Sequence, residues 1–176
     1  MQADRDLHIV SFDIPYPADY GGVIDVFFKL KALHAAGVKI HLHCFEYGRS
    51  HAEELSRYCA TVHYYPRKRS PLLLFSKEPY IVCTRDSSVL RETLLKDDHP
   101  VLMEGLHSSR LLGDQALSGR RILLRSHNIE HDYYAALAAV ERNPFRRYYF
   151  RLEARKLERY EPVVSNAAAV AAITSS

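Results

Sequence analysis

Residues 7–43 read LHIVSFDIPYPADYGGVIDVFFKLKALHAAGVKIHLH, and this stretch decides the fold. Its first six residues form an apolar-rich run typical of a buried strand, and Val38–His43 alternates as a half-buried strand does. Between them lies a loop rich in Pro, Gly and Asp, and then an apolar helical segment that starts at Val23 and ends at Gly37. The helix is apolar nearly all round, which predicts that it is largely buried. The order strand, helix, strand predicts a βαβ unit and therefore a parallel sheet.

The rest of the chain repeats this alternation of strands and helices. We predict further strands at 61–65, 101–104, 121–125 and 168–173, and helices at 50–58, 86–96, 106–117, 129–142 and 144–160. Such a pattern predicts an α/β fold, in which a Rossmann-like open parallel sheet carries helices on both faces. No internal boundary is visible, so we expect residues 1–176 to form a single domain.

The composition is that of a folded globular chain. Of its 176 residues, 47% are hydrophobic and 26% are charged, which excludes a disordered or collagen-like chain. No apolar run approaches the roughly 20 residues of a membrane-spanning helix. Three cysteines without a CxxC pair fit a reduced cytosolic chain better than a disulfide framework. A net charge of +3, without an RRM, KH or zinc-finger pattern, leads us to expect no nucleic-acid partner.

The pair Gly21-Gly22 lies between the first strand and the first helix. In open parallel sheets this loop borders the ligand crevice. Glycines there let backbone N–H groups approach an anion, which the start of the helix also attracts. The loop is neither a GxGxxG fingerprint nor a phosphate-binding P-loop. The alternative for the pair is a tight turn that requires a positive φ.

Polar side chains gather where the predicted strands at 101–104 and 121–125 end. They are Glu104, His107, Arg125, His127, Asn128, Glu130 and His131. Because the carboxyl ends of parallel strands meet at one edge of the sheet, we expect them to line a crevice with the glycine pair. A histidine at this edge can hydrogen-bond a hydroxyl or act as a base. Asn128 has an alternative role, which is to cap the helix that follows.

Metal binding and nucleophilic catalysis find less support in the sequence. His41 and His43 share one face of a strand, and His63 could be their neighbour, but no Cys or carboxylate joins them at a recognised spacing. We therefore interpret this face as an exposed strand surface and predict no metal site. No GxSxG motif is present, and the cysteines have no evident histidine partner.

Two segments concentrate positive charge. The helix PFRRYYFRLEARKLERY spans residues 144–160, and Arg67-Lys68-Arg69 precedes the apolar run LLLF. A solvated helix face with salt bridges is the favoured interpretation. Contact with anionic lipid headgroups is the alternative, because basic residues beside an exposed apolar loop can dock on a membrane.

Taken together, residues 9–45 with the later EGLHSS, RSHNIEHDYY and RLEARKLERYE resemble bacterial glycosyltransferases of the GT-B fold, in the retaining group 1 family. The final AAVAAITSS is similar to the last strand of their N-terminal domain. The resemblance implies an acceptor-side domain of a hexosyltransferase, which moves a sugar from a nucleotide-sugar donor to a glycan or lipid-linked acceptor. Synthesis of a cell-surface polysaccharide or lipopolysaccharide is the implied setting. The resemblance also implies a C-terminal nucleotide-sugar-binding domain outside these residues, without which the chain turns over little donor.

By this resemblance, Gly21 and Gly22 approach the donor diphosphate, and His107 or His127 contacts the transferred sugar or the acceptor. Other candidates for donor or acceptor binding are Glu104, Arg125 and Asn128. The resemblance implies no metal and no cofactor besides the nucleotide-sugar co-substrate. We expect a cytoplasmic protein, with peripheral contact at the inner face of the plasma membrane left open. The alternatives are a stand-alone Rossmann-like module that binds a nucleotide or metabolite without catalysis and, less favoured, a protein-interaction domain that uses the arginine-rich helix.

Overall fold

A computed structural model describes residues 5–172. Its strands are β1 (Asp6–Ser11), β2 (Lys39–Glu46), β3 (Thr61–Pro66), β4 (Val101–Glu104), β5 (Ile122–Ser126) and β6 (Ala169–Ala172). They form one six-stranded sheet in the order β3-β2-β1-β4-β5-β6, and every pairing is parallel. The Rossmann-like α/β prediction is confirmed. The strand order reverses between β1 and β4, and such a switch point opens a crevice at the carboxyl ends of the two strands.

The helices are α1 (Gly21–Ala35), α2 (Tyr80–Cys83), α3 (Ser88–Leu94), α4 (Glu130–Val140) and α5 (Pro144–Tyr160). As predicted, Gly37 ends α1 with a φ of +78°. Asn143 caps α5, because its Oδ1 accepts the N–H groups of Phe145 and Arg146. Within residues 5–172, no helix is both long and apolar enough to cross a bilayer.

Two of the predicted helices are wrong. The segment expected at 50–58 contains only a 3₁₀ turn at Glu53–Arg57, and the segment at 106–117 consists of the 3₁₀ turns Leu106–Gly113 and Gln115–Leu117. Both segments connect one strand directly to the next, β2 to β3 and β4 to β5, and such short pieces depend on tertiary packing more than on helix propensity. Ile173, the last residue of the predicted final strand, lies outside the described residues.

The core lies on both faces of the sheet. Ile9 of β1 packs with Leu30 of α1 on one face, while the next residue, Val10, packs with Leu90 of α3 on the other. Successive residues of a strand point to opposite faces, so this central strand is buried on both. The covering of both faces by helices is therefore as predicted.

The helices are less completely buried than the sequence suggests. On α1, Ile24 and Phe28 are exposed, although the apolar pattern of this segment predicts a largely buried helix. Each helix lies on only one side of the sheet, so its opposite side faces water whatever residues it carries.

The face that carries His41, His43 and His63 is not the exposed surface that the sequence predicts. His43 has no solvent exposure, and its ring stacks on those of His63 and His8, each at 5.1 Å between centroids. One ring nitrogen of His43 shares a hydrogen bond with His8 at 2.8 Å, and the other bonds the Tyr65 hydroxyl at 2.8 Å. The segment after α3 covers this face. The histidines therefore form a polar network centred on the buried His8 and His43.

Burial disfavours the charged forms of His8 and His43. It lowers the pKa of His43 to about 2, and the neighbouring His8 and His63 add to the effect. Burial also lowers the pKa of His8, against the opposing influence of Asp97, which lies 3.1 Å away. In the unfolded chain both side chains regain a pKa near 6.5, so the unfolded state takes up protons first as pH falls.

We predict that acid destabilises the fold through this network. The free energy of unfolding will fall by roughly 1–2 kcal/mol between pH 6.5 and 5.5, because protons then bind the unfolded state preferentially. Urea unfolding at a series of pH values measures this slope. His43→Gln will flatten it and the exposed His34→Gln will not; equal slopes in both variants would contradict the assignment.

Candidate functional site

The candidate site lies at the switch point, where β1 and β4 end. Phe12 follows β1, and Glu104 and Gly105 stand at the end of β4. The ring of Phe12 contacts both predicted histidines, with centroid distances of 5.5 Å to His107 and 5.8 Å to His127. The fold thus brings residues from three strand ends together around one aromatic ring.

A charged cluster surrounds Glu104, whose side chain has no solvent exposure. Lys29 of α1 donates to its Oε1 at 2.6 Å, and Nε2 of His127 lies 3.2 Å from its Oε2. The same Lys29 ammonium contacts Asp25 at 3.1 Å, and Nε of Arg125 lies 3.6 Å from that carboxylate. A buried carboxylate is tolerated only with such partners, so the cluster fixes α1 against the ends of β4 and β5.

The Asp25 carboxylate is held ionised within this cluster. Burial raises its pKa, but the hydrogen bond and charge of Lys29, with the charges of Arg125 and His127, lower it overall. Lys29 was not among the predicted site residues, nor was Asp25. Their spacing of four residues on one helix is the sequence signal that marks such a pair.

The cluster also offers a possible set of metal ligands. Ligand atoms of Asp25, Glu104 and His127 all lie within 4.8 Å of one another. The ammonium of Lys29 contacts both carboxylates, so it already supplies the positive charge that they require. A divalent ion would have to displace Lys29, and the donor set therefore favours an internal ion-pair cluster over a metal centre.

His107 and Glu130 form a second, less satisfied pair. Nδ1 of His107 is buried without a hydrogen-bond partner among residues 5–172, and it lies 3.8 Å from the Glu130 carboxylate. Burial raises the pKa of Glu130 to about 7. Burial, with the charges of Arg85 and Arg67, lowers the pKa of His107 well below its usual range. A neutral imidazole thus lies beside a carboxyl group that titrates near neutrality, which is an arrangement suited to proton transfer.

The glycine pair opens α1 at the rim of the same crevice. Within residues 5–172, positive φ values occur at Gly37, Gly48 and Gly105 and not at the pair, so the tight-turn alternative is wrong. A Cβ on Gly22 would lie 2.8 Å from Cζ of Phe12, whereas one on Gly21 would meet nothing within 4 Å. Gly22 is therefore needed for the close approach of Phe12, and Gly21 leaves open space at the start of the helix.

The loop that leads to the glycines is held by its own side chains. The buried Asp13 accepts hydrogen bonds from the Ile14 N–H at 2.8 Å and the Tyr20 hydroxyl at 3.1 Å. From beyond β2, Arg49 donates to the Pro17 carbonyl at 2.7 Å. These bonds fix the path of the loop, and with it the position of the first backbone N–H groups of α1.

Two of the predicted residues, Asn128 and His131, form no side-chain hydrogen bond or ion pair with the Glu104 cluster or with His107 among the described residues. Asn128 is exposed and does not cap α4, whose N-cap is Ile129 without a side-chain hydrogen bond. His131 pairs with Glu161 at 2.7 Å. In contrast, Arg85 was not among the predicted site residues, because it lies between the predicted strand at 61–65 and the predicted helix at 86–96 and not at a strand end.

We predict that Gly22→Ala disturbs the crevice while Gly21→Ala does not. The added methyl at position 22 must displace the Phe12 ring, at a cost of about 1–3 kcal/mol in unfolding free energy. At position 21 it meets no atom, so stability stays within about 0.5 kcal/mol of the wild type. Thermal unfolding of the two variants tests this, and equal stabilities would contradict it.

Comparisons with known proteins identify a relative that matches most of this chain. No protein-family model matches the chain, and no solved structure matches it. A protein of Klebsiella pneumoniae, named as an uncharacterized 44.6 kDa protein in the cps (capsule) region, is 32% identical over 153 residues. The match covers 82% of this chain and 39% of that protein. The chain is thus similar to part of a capsule-region protein and spans well under half of that relative's length.

Proposed function

We propose that these residues form the acceptor-side domain of a glycosyltransferase that acts on a glycan or lipid-linked acceptor in cell-surface polysaccharide synthesis. The observation that carries the proposal is the His107–Glu130 pair at the switch point, in which the Glu130 carboxyl, with a pKa raised to about 7, lies 3.8 Å from the His107 ring. The Rossmann-like sheet and the relative from a capsule region support the same assignment. The donor is proposed to be a nucleotide sugar.

The proposed chemistry follows from the positions of these groups. Neutral His107 hydrogen-bonds the acceptor hydroxyl, and the ionised Glu130 carboxylate takes up its proton through the imidazole. The acceptor oxygen forms the new bond to the anomeric carbon of the donor, and the bond from that carbon to the diphosphate breaks. The diphosphate lies near the start of α1, where Gly21 leaves room for it. In this scheme His127 is a positioning residue, because Glu104 holds its ring.

The cysteines are consistent with a reducing compartment, and we place the protein in the cytoplasm as part of the proposal. Cys44, Cys59 and Cys83 are all buried and free. Burial raises the pKa of each thiol, to about 12 for Cys59. None of them is therefore activated as a nucleophile at neutral pH.

We predict that Glu130→Gln lowers the rate of sugar transfer about 100-fold or more at pH 7, because an amide cannot accept the proton. In the wild type the rate will rise with pH through about 7, as Glu130 ionises, and the variant will lose this rise. The assay uses the entire gene product, with membranes as acceptor and a panel of radiolabelled nucleotide sugars.

Glu158→Gln, an exposed change on α5, serves as the matched control and keeps wild-type activity. Circular dichroism checks that both variants fold. No transfer from any donor would refute the proposed function, and an unchanged pH profile in Glu130→Gln would refute the role of Glu130.

A lipid-linked acceptor implies that the protein works at a membrane surface, and α5 offers a suitable contact. Its residues Phe145, Tyr148 and Leu152, spaced by three and four positions, form an exposed apolar stripe. At the far end of the stripe, Lys156 donates to the carbonyl of Leu74 at 2.8 Å, next to the exposed Phe75. Exposed arginines flank the stripe at positions 146, 147, 151 and 155. Apolar side chains with a basic border suit an anionic bilayer.

We predict that the chain binds vesicles containing 30% phosphatidylglycerol and not vesicles of phosphatidylcholine alone. The double change Arg147→Glu and Arg151→Glu will weaken this binding at least 10-fold, since each basic residue contributes about 1 kcal/mol at such a surface. Sedimentation with vesicles measures the effect. Arg57→Glu, an exposed control away from α5, leaves binding unchanged; an equal loss in the control would contradict the proposed surface.

A further inference from the structure

Two arginines at the crevice lack a carboxylate partner. Arg67 directly follows β3 and Arg85 lies just beyond α2, yet within residues 5–172 neither forms a salt bridge to an Asp or Glu side chain. The nearby carboxylates are engaged elsewhere: Asp13 lies 3.6 Å from Arg49, and Asp86 lies 3.0 Å from Lys68. These two positive charges are therefore not neutralised by an ion pair, unlike those around Glu104.

Arg85 is held rigidly, and only 4% of it is exposed. Its Nε donates to the Phe12 carbonyl at 2.9 Å, and its Nη1 donates to the Ile81 carbonyl at 2.8 Å. Nη2 has no hydrogen-bond partner in the described part of the chain. Burial lowers the pKa of Arg85 to about 9, and the charge of Arg67 adds to this, so the group is still protonated at neutral pH. Nη2 is not sealed from solvent, so an anion can reach it, and an ion pair there would offset the cost of burying the rest of the guanidinium group.

Arg67 and Arg85 both lie beside the ring of Tyr47. Nε of Arg67 donates to Oγ1 of Thr84 at 2.8 Å, the residue before Arg85. Cζ of Arg67 lies 4.2 Å from the centre of the Tyr47 ring, and Cζ of Arg85 lies 5.9 Å from that centre. Both charges also act on the imidazole of His107. Two guanidinium groups thus flank one tyrosine beside the proposed proton-transfer pair.

We infer that Arg67 and Arg85 form a binding site for a phosphoryl group carried by a substrate of the crevice. The spare N–H donors of two guanidinium groups suit the oxygens of a phosphate, and an anion between them would offset their mutual repulsion. The inference rests on the proposed function and deepens it, because the phosphoryl group would lie next to His107 and the acceptor hydroxyl. Two substrates can supply it: the nucleotide sugar through its diphosphate, or a lipid-linked acceptor through its phosphate.

The first experiment titrates the chain with inorganic pyrophosphate in a calorimeter at low ionic strength. Arg67→Gln and Arg85→Gln will each weaken binding at least 10-fold, and Arg67→Lys will restore part of it. The matched control is Arg69→Gln, an exposed arginine two residues away on the same segment, and its affinity will stay within twofold of the wild type. Absence of pyrophosphate binding in the wild type, or an equal loss in Arg69→Gln, would overturn the inference.

Arg85 also supports the backbone, so Arg85→Gln could lose its fold. Circular dichroism checks this, and Arg67→Gln, which removes one side-chain bond to Thr84, then decides the question alone. Titrations with uridine diphosphate and with a water-soluble short-chain prenyl phosphate separate the two sources. The ligand whose affinity depends on Arg67 identifies the substrate that carries the phosphoryl group, and dependence in neither overturns the inference.

The sugar-transfer assay on the entire gene product distinguishes this inference from the proposed function. Transfer that proceeds at the wild-type rate and KM in Arg67→Gln would overturn the phosphoryl site and leave the glycosyltransferase assignment intact. Pyrophosphate binding that depends on Arg67, in a protein that transfers no sugar from any donor, would support the site and refute the assignment.

Discussion

The ion pair between Lys29 and the fully buried Glu104 is the interaction on which the crevice depends. A carboxylate removed from water is destabilising by several kcal/mol unless charged partners and hydrogen bonds compensate it. Lys29 and His127 provide that compensation from α1 and from the end of β5. Lys29 and His127 reach Glu104 from opposite sides of the switch point. Their two contacts therefore fix the width of the crevice and the position of His127.

Two kinds of electrostatic environment meet at this crevice. Around Glu104, positive and negative side chains are paired within the protein, although the buried Nε of Arg125 has no hydrogen bond among residues 5–172. Around Arg85, positive charge is left without a salt bridge, and the imidazole of His107 has a buried nitrogen without a hydrogen bond in the described residues. Unpaired charges and unsatisfied hydrogen-bonding groups are typical of functional sites, because a bound ligand supplies the missing partner. This asymmetry is the physical basis for the proposal that substrate binds beside His107 rather than beside His127.

Much of the fold was accessible from sequence because the strands carry unambiguous patterns. The apolar β1 and the alternating β2 predicted a parallel sheet, and the rule that polar residues line its carboxyl edge correctly grouped Glu104, His107, Arg125 and His127. The same reasoning failed for His43, whose alternating strand looks half-exposed. The segment after α3 covers that face, and periodicity in one strand carries no information about what a distant segment covers.

The sequence by itself determined the order of the six strands, the glycine that ends α1, and the set of side chains at two strand ends, because these depend on local pattern and on chain direction. Only the tertiary structure decided which of those side chains meet. Asp25, Lys29 and Arg85 reach the crevice from α1 and from the turn after α2, and their arrival depends on how helices pack on the sheet. Burial also shifts the pKa values of Glu130 and His107, so these values depend on the assembled fold and not on any single segment.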